Sequence, residues 1–201
     1  MLYENREKFN KLSIKIGMIF SKIPLSPNQW TVFSLLPAVI AALYLASNEF
    51  LIAAGLFALA AFIDLIDGSV ARVLGRTTRF GAYLDTITDR YVEFILIFGL
   101  FFAQLPSLEI SGFTITPAAL LFLYFFGAMM TTYAKAAAKE KELVKKELKG
   151  GILERAERMV LLFAGILLAY ANPAYLVYMI AVLAVLANIT ALQRILKARK
   201  A

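Results

Sequence analysis

The stretch DLIDGSVARVLGRTTRFGAYLDTITD, residues 64–89, decides the reading of this chain. It places Asp64, Asp67, Asp85 and Asp89 where two long apolar blocks meet. An unpaired charge at bilayer depth costs roughly 2.5–3.5 kcal/mol or more, so four of them require a function or a set of partners. Asp64 and Asp67 are three positions apart and Asp85 and Asp89 four, so each pair shares a helix face. The short link between the blocks makes the two helices antiparallel. Both pairs then lie near the same end, at similar depth, able to face each other.

Outward from this stretch the chain is overwhelmingly apolar. Of 201 residues 61% are hydrophobic, gathered in long blocks, which is the composition of a membrane protein rather than a soluble domain. Blocks at about 29–47, 50–73, 81–104 and 115–138 each match one span. The stretch 152–196 would be roughly 65 Å long as one helix, about twice a bilayer core, and Ala171-Asn172-Pro173 divides it. The expected fold is therefore an all-α integral membrane protein with six transmembrane helices. Residues 4–22 add an N-terminal amphipathic surface helix, with Phe9, Leu12, Ile16 and Ile19 on one side and Lys8, Lys11, Lys15 and Lys22 elsewhere. That N-terminus has no signal-peptide pattern and is read as part of the mature protein. Pro27, with Ser26 as its cap, is expected to start the first span.

Charge orients these spans. The connections after the first, third and fifth contain no Lys or Arg; all 21 lie in the arm, around the two other connections, or in the tail. Both termini are accordingly expected to be cytoplasmic, which requires an even number of spans. The chain reads as a single membrane domain over 1–201, with a juxtamembrane helix at 1–23 and a six-helix bundle at 24–201. The net charge of +7 fits anionic headgroups and phosphate-bearing substrates rather than nucleic acid.

The absence of Cys and His excludes thiolate and imidazole chemistry. Four converging carboxylates make a hard, oxygen-rich site suited to Mg²⁺ or Mn²⁺. Two such ions about 3.5–4 Å apart can clamp the attacking and leaving oxygens of an in-line displacement at phosphorus. Gly68 and Gly81 leave room for close approach, and Arg72 can bind phosphate oxygens. Two other uses of the aspartates remain open on these grounds: partners for Arg72, Arg79 and Arg90, or a cation transporter. A second group of cations, Lys135, Arg155, Arg158 and Arg194, is expected at the same boundary, which points to an acceptor that itself carries a phosphate. The remaining lysines of residues 139–149 alternate with Glu140, Glu142 and Glu147 and read as a solvated helix extension.

The pattern Asp64-x-x-Asp67-Gly68-x-x-Ala71-Arg72, eight residues, Gly81, three, Asp85, three, Asp89 resembles the signature of the CDP-alcohol phosphotransferases at every fixed position. The resemblance implies that the four aspartates hold two divalent cations, with Asp64 and Asp85 bridging and Asp89 doubling as general base. It implies that Asn28, Thr31, Gly68, Arg72 and Thr78 contact a CDP-lipid donor, that CMP leaves, and that the protein is a homodimer. The run Gly150-Gly151-Ile-Leu-Glu154-Arg155-Ala-Glu157-Arg158 is similar to the phosphatidylinositol-phosphate and archaetidylinositol-phosphate synthase subgroup, which implies inositol 1-phosphate as acceptor. Tyr133-Ala-Lys135 and Gln193-Arg194 match as well. Ala137 stands where the subgroup has an arginine, with Lys139 one turn from Lys135, so glycerol 3-phosphate and serine stay open as acceptors.

Overall fold

The structure, a computed structural model, describes residues 2–144 and 150–199, with side chains from residue 11 onward. Lys145, Lys146, Glu147 and Lys149 of the expected charged extension therefore lie outside the described residues, as do the side chains of Lys8 and Phe9. The described chain is built from helices: α1 (Leu2–Phe20), α2 (Pro27–Phe33), α3 (Leu35–Ala46), α4 (Phe50–Val73), α5 (Arg79–Phe101), α6 (Pro117–Glu140), α7 (Arg155–Ala169) and α8 (Pro173–Arg199). Between α5 and α6 lies a hairpin of β1 (Leu108–Ile110) and β2 (Phe113–Ile115).

The first apolar block begins as its sequence dictates. Pro27 occupies the first turn of α2; Ser26 Oγ accepts from Gln29 N at 3.3 Å, and Ser26 N donates to Gln29 Oε1 at 2.7 Å, a reciprocal capping box. The block then breaks at Ser34. Pro37 has no N–H to give the carbonyl of Phe33, so the helical ladder fails one turn upstream and restarts as α3.

The link between α4 and α5 is short and fully specified. Gly75 adopts φ +62°, Arg76 N donates to Ala71 O at 2.9 Å and Gly75 N to Arg72 O at 3.3 Å, which is a Schellman stop. Thr78 then caps α5, its Oγ1 accepting from Gly81 N at 2.9 Å. A stop and a start this close turn the chain back on itself and set the level of Asp85 against Asp67.

The hairpin corrects the purely helical expectation. Ser111 (φ 49°) and Gly112 (φ 84°) both sit in left-handed geometry, the requirement of a tight two-residue turn, and Leu108 pairs with Ile115 and Ile110 with Phe113. The alternation in Leu-Glu-Ile and Phe-Thr-Ile is too brief to stand out against the flanking helices. At the other expected turn, Asn172 Oδ1 accepts from Ala174 N at 2.9 Å and Pro173 opens α8.

The main core lies among α3, α4, α5, α6, α7 and α8 around Leu45, Phe57, Leu96, Tyr124, Leu162 and Ile180. A second cluster of Trp30, Ile63, Ile66 and Val70 receives Ile16 and Phe20 of α1. The face of α1 turned to α4 is made small by Ser13 and Gly17; a Cβ on Gly17 would stand 2.6 Å from Val73 Cγ2. Leu12, Ile14, Met18 and Ile19 stay exposed, whereas Ile16 of the expected apolar side packs inward with Phe20.

Outward-facing Leu36, Leu43, Leu51, Phe98, Val185 and Leu192 invert the surface of a soluble domain. Among the described residues four helices are long and apolar enough to cross a membrane: Pro27–Ala46 (with the break at Ser34), α4, α6 and α8. The charges of Arg79, Asp85, Asp89, Arg90 and Glu93 lower the hydropathy of α5, and α7 has only 15 residues.

Helix α5 passes α3 at Gly99, where an added Cβ would meet the Ala42 carbonyl oxygen at 2.5 Å and Ala42 Cα at 2.6 Å. Backbone cannot yield as a side chain does, so Gly99→Val is expected to destabilise the fold by about 1–3 kcal/mol, seen as a lower thermal midpoint in detergent. Gly55→Val, where nothing lies within 4 Å, is the control and should leave the midpoint within a degree or two.

Candidate active site

At the end of α4 and the start of α5, Asp64, Asp67 and Asp85 each place one carboxylate oxygen within 4.8 Å of the others. At that separation like charges repel by on the order of 3–4 kcal/mol per pair for an effective permittivity of about 20. Such a group needs cations among its oxygens. The donor set consists only of hard oxygens and matches Mg²⁺ or Mn²⁺. Asp67 is 6% exposed and takes a short hydrogen bond from Thr31 Oγ1, which also donates to Pro27 O at 3.1 Å. Thr31 thus orients a carboxylate, a contact its sequence position did not announce.

Asp89, one turn past Asp85, is placed differently. Arg155 Nη1 forms an ion pair with Asp89 Oδ1, and Arg155 Nη2 donates to the Asp89 carbonyl at 3.3 Å. Three of the four expected ligands therefore converge directly, and the fourth is held beside them by an arginine of α7.

Next to the carboxylates is a cavity of about 190 Å³ whose lining includes Asn28, Thr31, Gly68, Arg72, Thr78 and Gly81, with Asp67 and Asp85 at its edge. All five residues expected to hold a nucleotide donor share this one cavity. A Cβ on Gly68 would come 3.3 Å from Arg72 Nη1, so the glycine lets the guanidinium fold over the helix. Arg72 Nη2 donates to Ser13 Oγ at 2.6 Å, and that hydroxyl lies 2.8 Å from Ser69 Oγ. Ser13 was not singled out from the sequence; only its spacing from Gly17 hinted at a small-residue contact face.

On the other side of α5 is a larger cavity of about 570 Å³. Lys135, Arg155, Arg158 and Arg194 all line it, joined by Arg90, Lys139 and Thr131. Arg194 Nη1 donates to the Thr131 carbonyl at 2.9 Å, and Nη2 approaches Glu154 at 3.8 Å. The Nε donors of Arg90, Arg155 and Arg194 are buried without a hydrogen-bond partner among the described residues. Six cationic side chains around one cavity suit an anion. Arg158 differs: it is 1% exposed, and its Nε and Nη2 donate to Glu93 at 2.9 and 3.0 Å. Glu93, which sequence reasoning missed, continues the four-residue rhythm of Asp85 and Asp89, and that spacing was the available signal.

The segment before α7 is pinned to α8. Leu153 N donates to Thr190 Oγ1 at 3.1 Å, Ile152 N to Gln193 Oε1 at 3.1 Å, and Gly150 (φ 82°) N to Glu154 Oε1 at 2.8 Å. These bonds set where Arg155 enters the site.

The family model described as CDP-alcohol phosphatidyltransferase matches residues 24–190. The chain is 30% identical to the archaetidylinositol phosphate synthase of Pyrococcus horikoshii over 202 residues, covering 100% of this chain and 97% of that protein. It is 35% identical to that of Methanothermobacter thermautotrophicus, covering 90% of this chain and 87% of the relative. The fold is similar to that of Mycobacterium tuberculosis phosphatidylinositol phosphate synthase with CDP-DAG bound, with TM-score 0.79, 22% identity and 94% of each chain covered. A second structure of that synthase, in complex with manganese and citrate, gives TM-score 0.79 at 24% identity over 93% of this chain and 88% of that one.

The carboxylate geometry can be tested without turnover. Asp85→Asn is expected to weaken Mn²⁺ binding at least tenfold by electron paramagnetic resonance titration of purified protein. Thr31→Val, which removes the hydroxyl bonded to Asp67 and Pro27 but leaves all four carboxylates in place, is expected to weaken it by a smaller factor, about two- to fivefold.

Proposed function

The chain belongs to the CDP-alcohol phosphatidyltransferase family, and from that premise we propose that it moves the phosphatidyl or archaetidyl group of a CDP-lipid to a hydroxyl of inositol 1-phosphate, releasing CMP. The observation that carries this reading is the pair of cavities flanking the carboxylates, one lined by the motif residues and one by arginines with unsatisfied donors. Relatives named for inositol phosphate products support the acceptor. Ala137 lacks the arginine of the subgroup, but Lys139 lines the same cavity as Lys135 and puts a cation there.

In this mechanism Arg72 and the open backbone at Gly68 hold the diphosphate of the donor, with Asn28 and Thr78 along the nucleoside. Lys135, Arg155 and Arg194 hold the acceptor phosphate, which fixes the reacting hydroxyl near Asp89. Asp64, Asp67, Asp85 and Asp89 would hold two divalent cations, Mg²⁺ or Mn²⁺, which supply charge neutralisation at the attacking and leaving oxygens. Asp89 takes the proton of the acceptor hydroxyl, that oxygen bonds to the phosphorus bearing the lipid, and the bond from this phosphorus to the CMP oxygen breaks. Orientation and electrostatics carry the rate, as in phosphoryl transfer generally.

We place this chemistry in one membrane domain, 1–201, with six spans, both termini and the active site cytoplasmic, and α1 lying on the bilayer surface. The exposed apolar side chains of α1 and the distribution of Lys and Arg support that placement. The working unit is a homodimer.

Purified protein with ester or ether CDP-lipid is expected to release CMP only with acceptor and Mg²⁺ or Mn²⁺, and not after chelation. Inositol 1-phosphate is expected to exceed glycerol 3-phosphate, serine and unphosphorylated inositol in kcat/KM; a preference for a plain alcohol would sink the acceptor assignment. Asp89→Asn should lower kcat by about 10²–10⁴ with little change in donor KM. Arg155→Ala and Arg194→Ala should raise the acceptor KM tenfold or more.

A further inference from the structure

Glu93 is the deepest acid in the described structure, 2% exposed, two turns past Asp85 on α5. Four donors converge on it. Arg158 Nε and Nη2 from α7 lie at 2.9 and 3.0 Å, Tyr124 Oη from α6 at 3.0 Å, and Arg90 Nη1 from its own helix at 3.3 Å. The two contacts from Arg158 form a bidentate fork, which fixes orientation as well as distance.

The consequences reach the larger cavity from two directions. Arg90 lies three residues before Glu93, so the ion pair between them sets the rotamer in which Arg90 lines the cavity with its Nε unsatisfied. Arg155 lies three residues before Arg158 on α7, so clamping Arg158 also sets the rotation of that helix's first turn. That turn presents Arg155 to Asp89 and to the cavity. Arg158, with two donors committed to Glu93, serves as part of the wall.

We propose that Glu93 is a positioning residue for the anion cavity: by holding Arg158 and Arg90 it aims Arg90 and Arg155 at the acceptor phosphate, and Arg90 is a phosphate contact in its own right. This rests on the reading of the cavity as the acceptor-phosphate site. It differs in sign from a purely electrostatic role. Neutralising Glu93 adds one net positive charge beside the cavity, and Coulomb attraction alone would tighten anion binding. Loss of aim weakens it.

The test uses the full chain in detergent, with inorganic phosphate as probe by calorimetry, alongside acceptor and donor kinetics and thermal midpoints. Glu93→Gln and Arg90→Gln are each expected to raise the phosphate Kd and the acceptor KM tenfold or more, with donor KM changed less than twofold. Glu93→Asp, which keeps the charge on a shorter arm, should recover part of that loss. Tyr124→Phe removes one of the four bonds and should raise both constants about threefold; it carries the test alone if Glu93→Gln does not fold. An unchanged or lower phosphate Kd in Glu93→Gln, or in Tyr124→Phe in that case, overturns the positioning role and leaves the acceptor site intact. Failure of the unmodified protein to bind phosphate overturns the acceptor-site reading, and the positioning role falls with it.

Discussion

Carboxylates embedded in apolar helices are the constraint around which this molecule is arranged. Asp64, Asp67 and Asp85 crowd their oxygens within 4.8 Å at the mouth of a bundle whose outer faces are hydrocarbon. Three acids of this layer have specific partners: Thr31 holds Asp67, Arg155 holds Asp89, and Arg158 holds Glu93. A buried charge without such a partner would cost several kcal/mol, so sites and supports are one network. The polar layer is therefore a cross-link among α2, α4, α5, α6 and α7 as much as a reaction centre.

Helix α5 is the element that turns this network into a two-sided device. Successive residues on a helix point about 100° apart. Asp85 borders the smaller cavity while Thr86 and Arg90 border the larger, so one helix wall separates the two cavities by the width of its own backbone. The Schellman stop at Gly75 and the Thr78 cap hold that wall in register with α4. Thr78 consequently has a structural task as well as a place in the cavity lining. Arg72 is likewise shared, bridging the smaller cavity to Ser13 of α1.

Much of this was legible because it is written at helical period. The aspartate spacings, the cap at Ser26 and Pro27, the turn at Asn172-Pro173 and the cations at positions 135, 155, 158 and 194 all follow from local rules. What escaped depends on partners far apart in the chain. Arg158 read as a phosphate ligand because its charge is local information, whereas its commitment to Glu93 spans 65 positions. Ser13 meets Arg72 across 59 positions. The hairpin escaped because three-residue strands carry almost no periodic signal, and the break at Ser34 because Pro37 acts one turn upstream of itself.

The shortness of α7 has a geometric outcome. Fifteen residues rise about 22 Å, less than the roughly 30 Å of a hydrocarbon layer, while its neighbour α8 runs to 27 residues. The end of α7 that carries Arg155 therefore begins short of the level reached by α8, and the arginine-lined cavity is a dimple recessed below the tip of that longer helix. In the proposed reaction a water-soluble phosphate would descend into that dimple while an oily partner stays in its own leaflet. Neither compound has to change phase for the two to meet.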